Sequence, residues 1–215
     1  MHASHSITVG TQNVGGMRAE MNIGHGKKKT LLRNIVHHRT DFLILTEVKA
    51  KRNKADKATI KNGLAPTAIS LHEEAHAGVI IFSNPEHDII EGSLRESTTP
   101  GHIAAAAYNV RGTRIVVAGV YGESASNDRA STRIIRELNN IIRELQHIFH
   151  TQVVIMAGDF NTALRPEDSN NPNHNNKPQT TAALQQLMEE HHLADLAVAA
   201  NRARHTWFRS SSHPE

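Results

Sequence analysis

The sequence predicts a layered domain of the α/β or α+β class, in which sheets are covered by helices. Two short apolar runs separated by a helix-spaced segment open the chain. Its middle alternates β-like runs with tight turns. Beyond that, a long amphipathic stretch leads straight into another apolar strand. Strands that must bury a face and helices with one apolar stripe pack as layers.

Residues 7–14 are β-rich and end at Gly15-Gly16, and residues 41–47 repeat that design around Phe42-Leu43-Ile44-Leu45, so both read as buried strands. Between them Leu31, Leu32, Ile35 and Val36 recur at helical spacing behind Lys27-Lys28-Lys29, which predicts a short amphipathic helix. Residues 48–62 alternate Lys, Arg, Asn and Asp without apolar periodicity and read as a surface loop or frayed helix. β-like runs follow at 77–83, 89–91, 103–110 and 114–121, with turns at Asn84-Pro85 and Arg111-Gly112-Thr113. The second turn is short enough for a hairpin, so this part is antiparallel.

From 128 to 150, Ile134, Leu138, Ile141, Leu145 and Ile148 share one helical face, widened by Ile135, Ile142 and Phe149. Ser126 or Asn127 is placed to cap it. A buried strand at 152–157 and a loop at 158–161 follow. The Asn- and Pro-rich residues 166–178 predict a mobile loop before a last helix around 181–192. Too little chain follows for a second core, so residues 7–215 form one domain.

Composition narrows the chemistry. With 24 Lys plus Arg against 21 Asp plus Glu, the formal charge of +3 suits ordinary solubility as well as phosphate-bearing partners. The absence of cysteine excludes disulfides, thiolate zinc sites and cysteine nucleophiles, so any metal must take oxygen or imidazole ligands. The start has no basic segment followed by an apolar core, and no apolar run is long enough to span a bilayer. A soluble, intracellular protein without a membrane partner is expected, nuclear and cytoplasmic locations being indistinguishable.

The strongest local signal is Met156-Ala157-Gly158-Asp159-Phe160-Asn161-Thr162, directly after Val153-Val154-Ile155. A strand ending in Gly can turn sharply and bring an acidic oxygen and an amide to the sheet rim. Asp accepts a proton or hydrogen bonds, and an amide donates to a phosphate oxygen, both of use for attack at phosphorus. Read alone, Gly158-Asp159-Phe160-Asn161 fits an Asx turn equally well. Glu47, at the tip of the strand in Leu45-Thr46-Glu47, offers a carboxylate of the kind a hard divalent cation takes; a lone strand-end Glu is usually solvated. Asn13, in Thr11-Gln12-Asn13, ends the first strand in the same manner, as a turn residue or a functional one. Tyr121 closes the strand 114–121, where its hydroxyl can hold a phosphate oxygen or its ring can simply be half-buried.

Four successive strands thus end in residues that phosphoryl chemistry uses. Thr11-Gln12-Asn13, Leu45-Thr46-Glu47, Gly119-Val120-Tyr121, Gly158-Asp159-Phe160-Asn161 and Thr206-Trp207 together resemble the endonuclease/exonuclease/phosphatase superfamily. The abasic-site endonuclease-like domains of non-LTR retrotransposons are the nearest likeness, over residues 7–207. The resemblance implies a four-layered α/β sandwich of two packed β-sheets flanked by helices. It further implies Mg²⁺- or Mn²⁺-dependent phosphodiester hydrolysis with DNA as the partner substrate. Glu47 would ligate the metal with support from Asn13, and Tyr121 would contact the scissile phosphate. Asp159 would orient or deprotonate the attacking water, and Asn161 would stabilise the transition state.

The family pattern continues with Ser-x-x-Asp and Ser-Asp-His after Thr-Trp, whereas this sequence has Ser212-His213-Pro214 before Glu215. His213 precedes a proline and lacks the Asp, so it is no substitute. A fragment lacking the last strands and the catalytic Asp and His is expected, weakly active or inactive alone, with downstream domains of a longer polyprotein as covalent neighbours. Loss of those strands should also leave a sheet edge open to association. A phosphatase or phospholipase of the same superfamily, or a degenerate nucleic-acid-binding module, are the alternatives. The basic segment 49–61 suits either an enzyme or a module, and reads equally as a solvated loop. His37-His38 and His191-His192 read as exposed helix ends.

Overall fold

The longest strands are apolar on both faces, so one face packs on a second sheet and the other on helices. A computed structural model of the chain describes residues 6–15, 40–50, 65–74, 76–123, 127–165 and 177–199. β1 (Val9–Asn13) and β2 (Phe42–Thr46) are parallel, with Asn13 opposite Thr46. β3 (Ala65–Leu71) pairs antiparallel with β4 (Gly78–Ser83), which pairs antiparallel with β2, giving the order β1-β2-β4-β3. In the second sheet the short strands β5 (Asp88–Ile89) and β6 (Arg95–Glu96) both pair with β7 (Ile103–Val110). β7 turns through Arg111-Gly112 into β8 (Thr113–Tyr121), an antiparallel hairpin as expected. The helix α1 (Asp128–Phe149) then crosses back to β9 (Val154–Asp159), parallel to β8 with Tyr121 opposite Asp159. Two further helices, α2 (Pro178–Glu190) and α3 (Leu196–Ala199), end the described chain.

Between the sheets, Phe42, Ile44, Val79 and Ile81 meet Ala104, Ala106, Tyr108, Ile115 and Val117. The opposite face of the second sheet, with Ile103, Ala105, Val116, Ala118 and Val120, packs against Ile134, Ile135, Leu138, Ile142 and Leu145 of α1 and Leu184 and Leu187 of α2. Leu43, Leu45, Ile80 and Phe82 are buried as well, so β2 and β4 are covered on both faces. The α/β sandwich of two packed sheets with flanking helices is therefore as expected. The helix predicted near 31–36, the segment 51–64, most of the predicted loop (166–176), Thr206-Trp207 and His213 lie outside the described residues.

α1 forms where its apolar stripe predicts it. Asn127 accepts a hydrogen bond from the Ala130 N–H at 3.1 Å, and His150 ends the helix in the left-handed conformation. Leu138 is fully buried between α1 and the second sheet. Leu138→Ala should cost about 2–5 kcal/mol of stability through lost contacts and a residual cavity; urea unfolding with an unchanged m-value would check this.

One strand goes unread in the sequence, and two readings are corrected. β3 escapes sequence pattern because Pro66 interrupts it, yet β3 is an edge strand, where a missing N–H is tolerated, and its register shifts between Pro66 and Ala68. The last helix begins at Pro178, so Lys177 and Pro178 do not belong to a mobile loop. Its cap comes from a distant residue: the Asp128 carboxylate accepts the Gln179 N–H at 3.0 Å and the Thr180 N–H at 2.9 Å. His191 is buried, not exposed, because it faces α1 and hydrogen-bonds with Gln146 and Asn139.

Candidate active site

Strand parity brings the site together. Val9, Ile44, Val117 and Ile155 face the space between the sheets. Successive side chains alternate faces, so Asn13, Thr46, Tyr121 and Asp159, each an even step further along its strand, project toward the same space. β1 and β2 are parallel, as are β8 and β9, so the C-terminal ends of each pair lie together. A direct contact joins the two sheets there: the Asn13 amide donates to Asp159 Oδ2 at 2.7 Å.

Each group is held by its own local turn. The Gly15 N–H donates to Asn13 Oδ1 at 2.9 Å, an Asx turn that aims the amide nitrogen at Asp159. Asp159 Oδ1 accepts the Asn161 N–H at 3.0 Å, in a second such turn. Turn-forming and functional readings of these residues are thus compatible, because the turn does the aiming. Asn161, with φ of 47°, gives one amide hydrogen to the Gly122 carbonyl at 2.9 Å. The expected donor to a phosphate is therefore partly committed to the backbone, and one N–H of its two is left.

Glu47 follows the end of β2 in the left-handed region, φ 55°, and its Oε1 pairs with Lys49, itself at φ 51°. Tyr121 is buried, its ring stacked parallel to His102 with centroids 6.1 Å apart. The Tyr121 N–H donates to the His102 carbonyl, and His102 Nδ1 donates to the Tyr121 carbonyl at 2.7 Å. A carbonyl only accepts, so Nδ1 carries the proton. The Thr46 hydroxyl is buried at the floor of this space without a hydrogen-bond partner among the described residues.

Lys177 was not anticipated. It is buried, and its ammonium donates to the carbonyls of Glu123 and, at 3.1 Å, Asn161. It thereby ties the segment after β8 to the loop after β9. Burial pushes its pKa down, and the carboxylates of Glu123, Asp128 and Asp159 pull it partly back. Asp128 is pushed up by burial, but hydrogen bonds from Thr180 and Gln179 and the Lys177 charge outweigh this and hold it below the usual carboxylate range. Nothing in the Asn- and Pro-rich sequence around Lys177 signals this role. His102 and Lys49 were also missed; only their places, opposite Tyr121 and two residues past Glu47, could have suggested them.

Among the described residues no group of three or more His, Cys, Asp or Glu converges on one point. The oxygens on offer at the strand ends are those of Asn13 and Asp159, two residues that touch, and of Glu47, which pairs with Lys49. Such a sparse oxygen set suits a cation that takes one or two carboxylates and keeps its waters, and does not suit a closed zinc site. No helix among the described residues is long and apolar enough to cross a membrane.

A family model described as the endonuclease/exonuclease/phosphatase family matches residues 10–214. This chain belongs to that family. Solved structures agree on the fold. An AP endonuclease from Archaeoglobus fulgidus superposes with a TM-score of 0.61 at 18% identity, over 86% of this chain and 71% of that one. For the AP endonuclease LMAP from Leishmania major the values are 0.66, 17%, 90% and 69%. The endonuclease domain of TRAS1, a telomere-specific non-LTR retrotransposon, gives 0.55 at 13% identity, covering 86% of this chain and 71% of its own. No curated protein sequence matches. The family's nucleases and phosphodiesterases thus share the scaffold on which the five residues Asn13, Glu47, Tyr121, Asp159 and Asn161 lie, and four of these five stand at strand ends or one residue beyond.

Proposed function

We propose that this chain carries the site of an endonuclease that nicks DNA by Mg²⁺- or Mn²⁺-dependent phosphodiester hydrolysis, of the kind found in non-LTR retrotransposons. The observation that carries the proposal is the hydrogen bond from Asn13 to Asp159, which joins the strand ends of the two sheets in one polar mouth. The membership of the family and the fold shared with the TRAS1 endonuclease domain support the choice of substrate.

The residues present fit a hydrated divalent cation: among the described residues Lys49 pairs with Oε1 of Glu47, which leaves Oε2 for a ligand, and the buried Thr46 hydroxyl has no hydrogen-bond partner. Glu47 would hold the cation, with Asn13 beside it. When bound, the cation supplies Lewis-acid charge to the phosphate. Asp159 is fixed through both oxygens, by Asn13 and by the Asn161 N–H, with lone pairs left to orient a water or take its proton. The remaining N–H of Asn161 meets a phosphate oxygen as charge builds on it, and Tyr121 contacts the scissile phosphate.

Supercoiled plasmid with Mg²⁺ provides the test, using the 215-residue chain and the longest reading frame that contains it. Asp159→Ala and Glu47→Gln should each lower nicking by about 10²–10⁴-fold, and the Glu47 variant should also weaken Mn²⁺ binding measured by calorimetry. Equal nicking in wild type and Asp159→Ala, or none from either form of the wild type, overturns the endonuclease reading.

A further inference from the structure

Three arginines open α1, and their setting is unusual for a solvated helix face. Arg129, Arg133 and Arg136 are exposed and line, with Asn127 and Gln179, a depression of about 610 Å³. Their spacing of four and three residues puts them on one face, rising ~6 Å and then ~4.5 Å along the axis. Among the described residues, none of the three is paired with a carboxylate; Arg133 donates to the neutral Thr99 hydroxyl at 2.6 Å. The nearby acids are engaged elsewhere, Asp128 on the N–H groups that open α2 and Glu137 on the Thr98 N–H. Further along α1 the charges are matched, Arg143 with Glu190 and Glu144 with Arg95.

The first of these cations stands at the wrong end for helix stability. The N-terminal turns of a helix carry partial positive charge and favour acids. Arg129 stands in that first turn, and with no carboxylate among the described residues paired to the row, its field suits an external anion. The row also starts at the site's end of the molecule: β8 ends at Tyr121, seven residues before Asp128, and Gln179 is two residues from Lys177, which holds the Asn161 carbonyl.

We infer that Arg129, Arg133 and Arg136 bind successive phosphates of the nucleic-acid strand flanking the scissile bond. The inference rests on the proposed nucleic-acid substrate, but its test does not need cleavage. Fluorescence anisotropy of a labelled duplex oligonucleotide is measured across a salt titration without divalent metal, for the wild-type 215-residue chain and for R129Q/R133Q/R136Q. The triple variant should bind at least about tenfold more weakly, with a log K against log salt slope shallower by about 2–3. R129K/R133K/R136K should keep the wild-type slope. If the triple glutamine variant melts at a lower temperature, R129Q and R136Q singly should each still reduce the slope by about 1.

Unchanged affinity and slope in the glutamine variants, or wild-type binding without salt dependence, overturns the inference. So does a loss of binding to phosphatidylserine vesicles without a loss on the duplex, which would give the row to a membrane surface. A wild-type protein that binds the duplex through this row yet nicks no plasmid would sink the endonuclease reading and leave the row standing.

Discussion

Gly158→Ala is expected to destabilise the protein by on the order of 3–5 kcal/mol, among the larger effects a single methyl can have. Gly158 has φ of 148°, a region L side chains rarely adopt, and a Cβ built there would run into the backbone carbonyl of Val120. That obstacle is backbone paired in the β8–β9 ladder, where Val120 stands opposite Gly158, so it cannot swing aside. Gly112→Ala is the matched control. Gly112 also has positive φ, 85°, but nothing lies within 4 Å of its added Cβ. It should therefore lose only about 1 kcal/mol, the conformational part. Denaturant midpoints for the pair separate strain from collision, and similar losses in both would show that collision contributes nothing.

Lys177→Met should reverse that balance, with a modest stability change and a large functional one. Removing the ammonium leaves the carbonyls of Glu123 and Asn161 without it, at about 1–3 kcal/mol for an unsatisfied buried group, while relieving the burial of a charge. The loop carrying Asp159 and Asn161 loses its tether, and in the plasmid assay nicking should fall by roughly 10–100-fold, since small displacements of positioned groups cost about that much. The pH dependence follows from the direction of the shift. Because the folded pKa lies below 10.5, the unfolded chain binds the proton more tightly. Wild-type stability relative to Lys177→Met should then rise as pH increases through the interval between the lowered value and 10.5. A flat difference across that interval would show that Lys177 is not desolvated, and a variant with full nicking would remove its positioning role.

The parts of this molecule that follow from local pattern were legible in the sequence. Apolar runs and turn residues located β1, β2, β4 and β7 to β9 within a few residues, and the stripe from Ile134 to Leu145 located α1. Asn13, Tyr121 and Asp159 could be picked out because each closes a strand. What pattern cannot carry is pairing over long separations. β3 depends on its place at a sheet edge, α2 on a cap from Asp128, and His191 on partners in α1. Lys177 is of this kind, its role set by two carbonyls distant in sequence. The commitment of Asn161 to the Gly122 carbonyl and of Glu47 to Lys49 likewise follows from three-dimensional turns with positive φ.

The hydrogen bond between Asn13 and Asp159 spans 146 residues of sequence. On a ribosome adding about 5–20 residues per second, Asn13 is made roughly 7–30 s before its partner. During that interval β1 and β2 can pair, but the mouth between the sheets has only one side. A growing chain therefore holds Asn13 and Asp159 apart, and they come together only once β9 has docked beside β8.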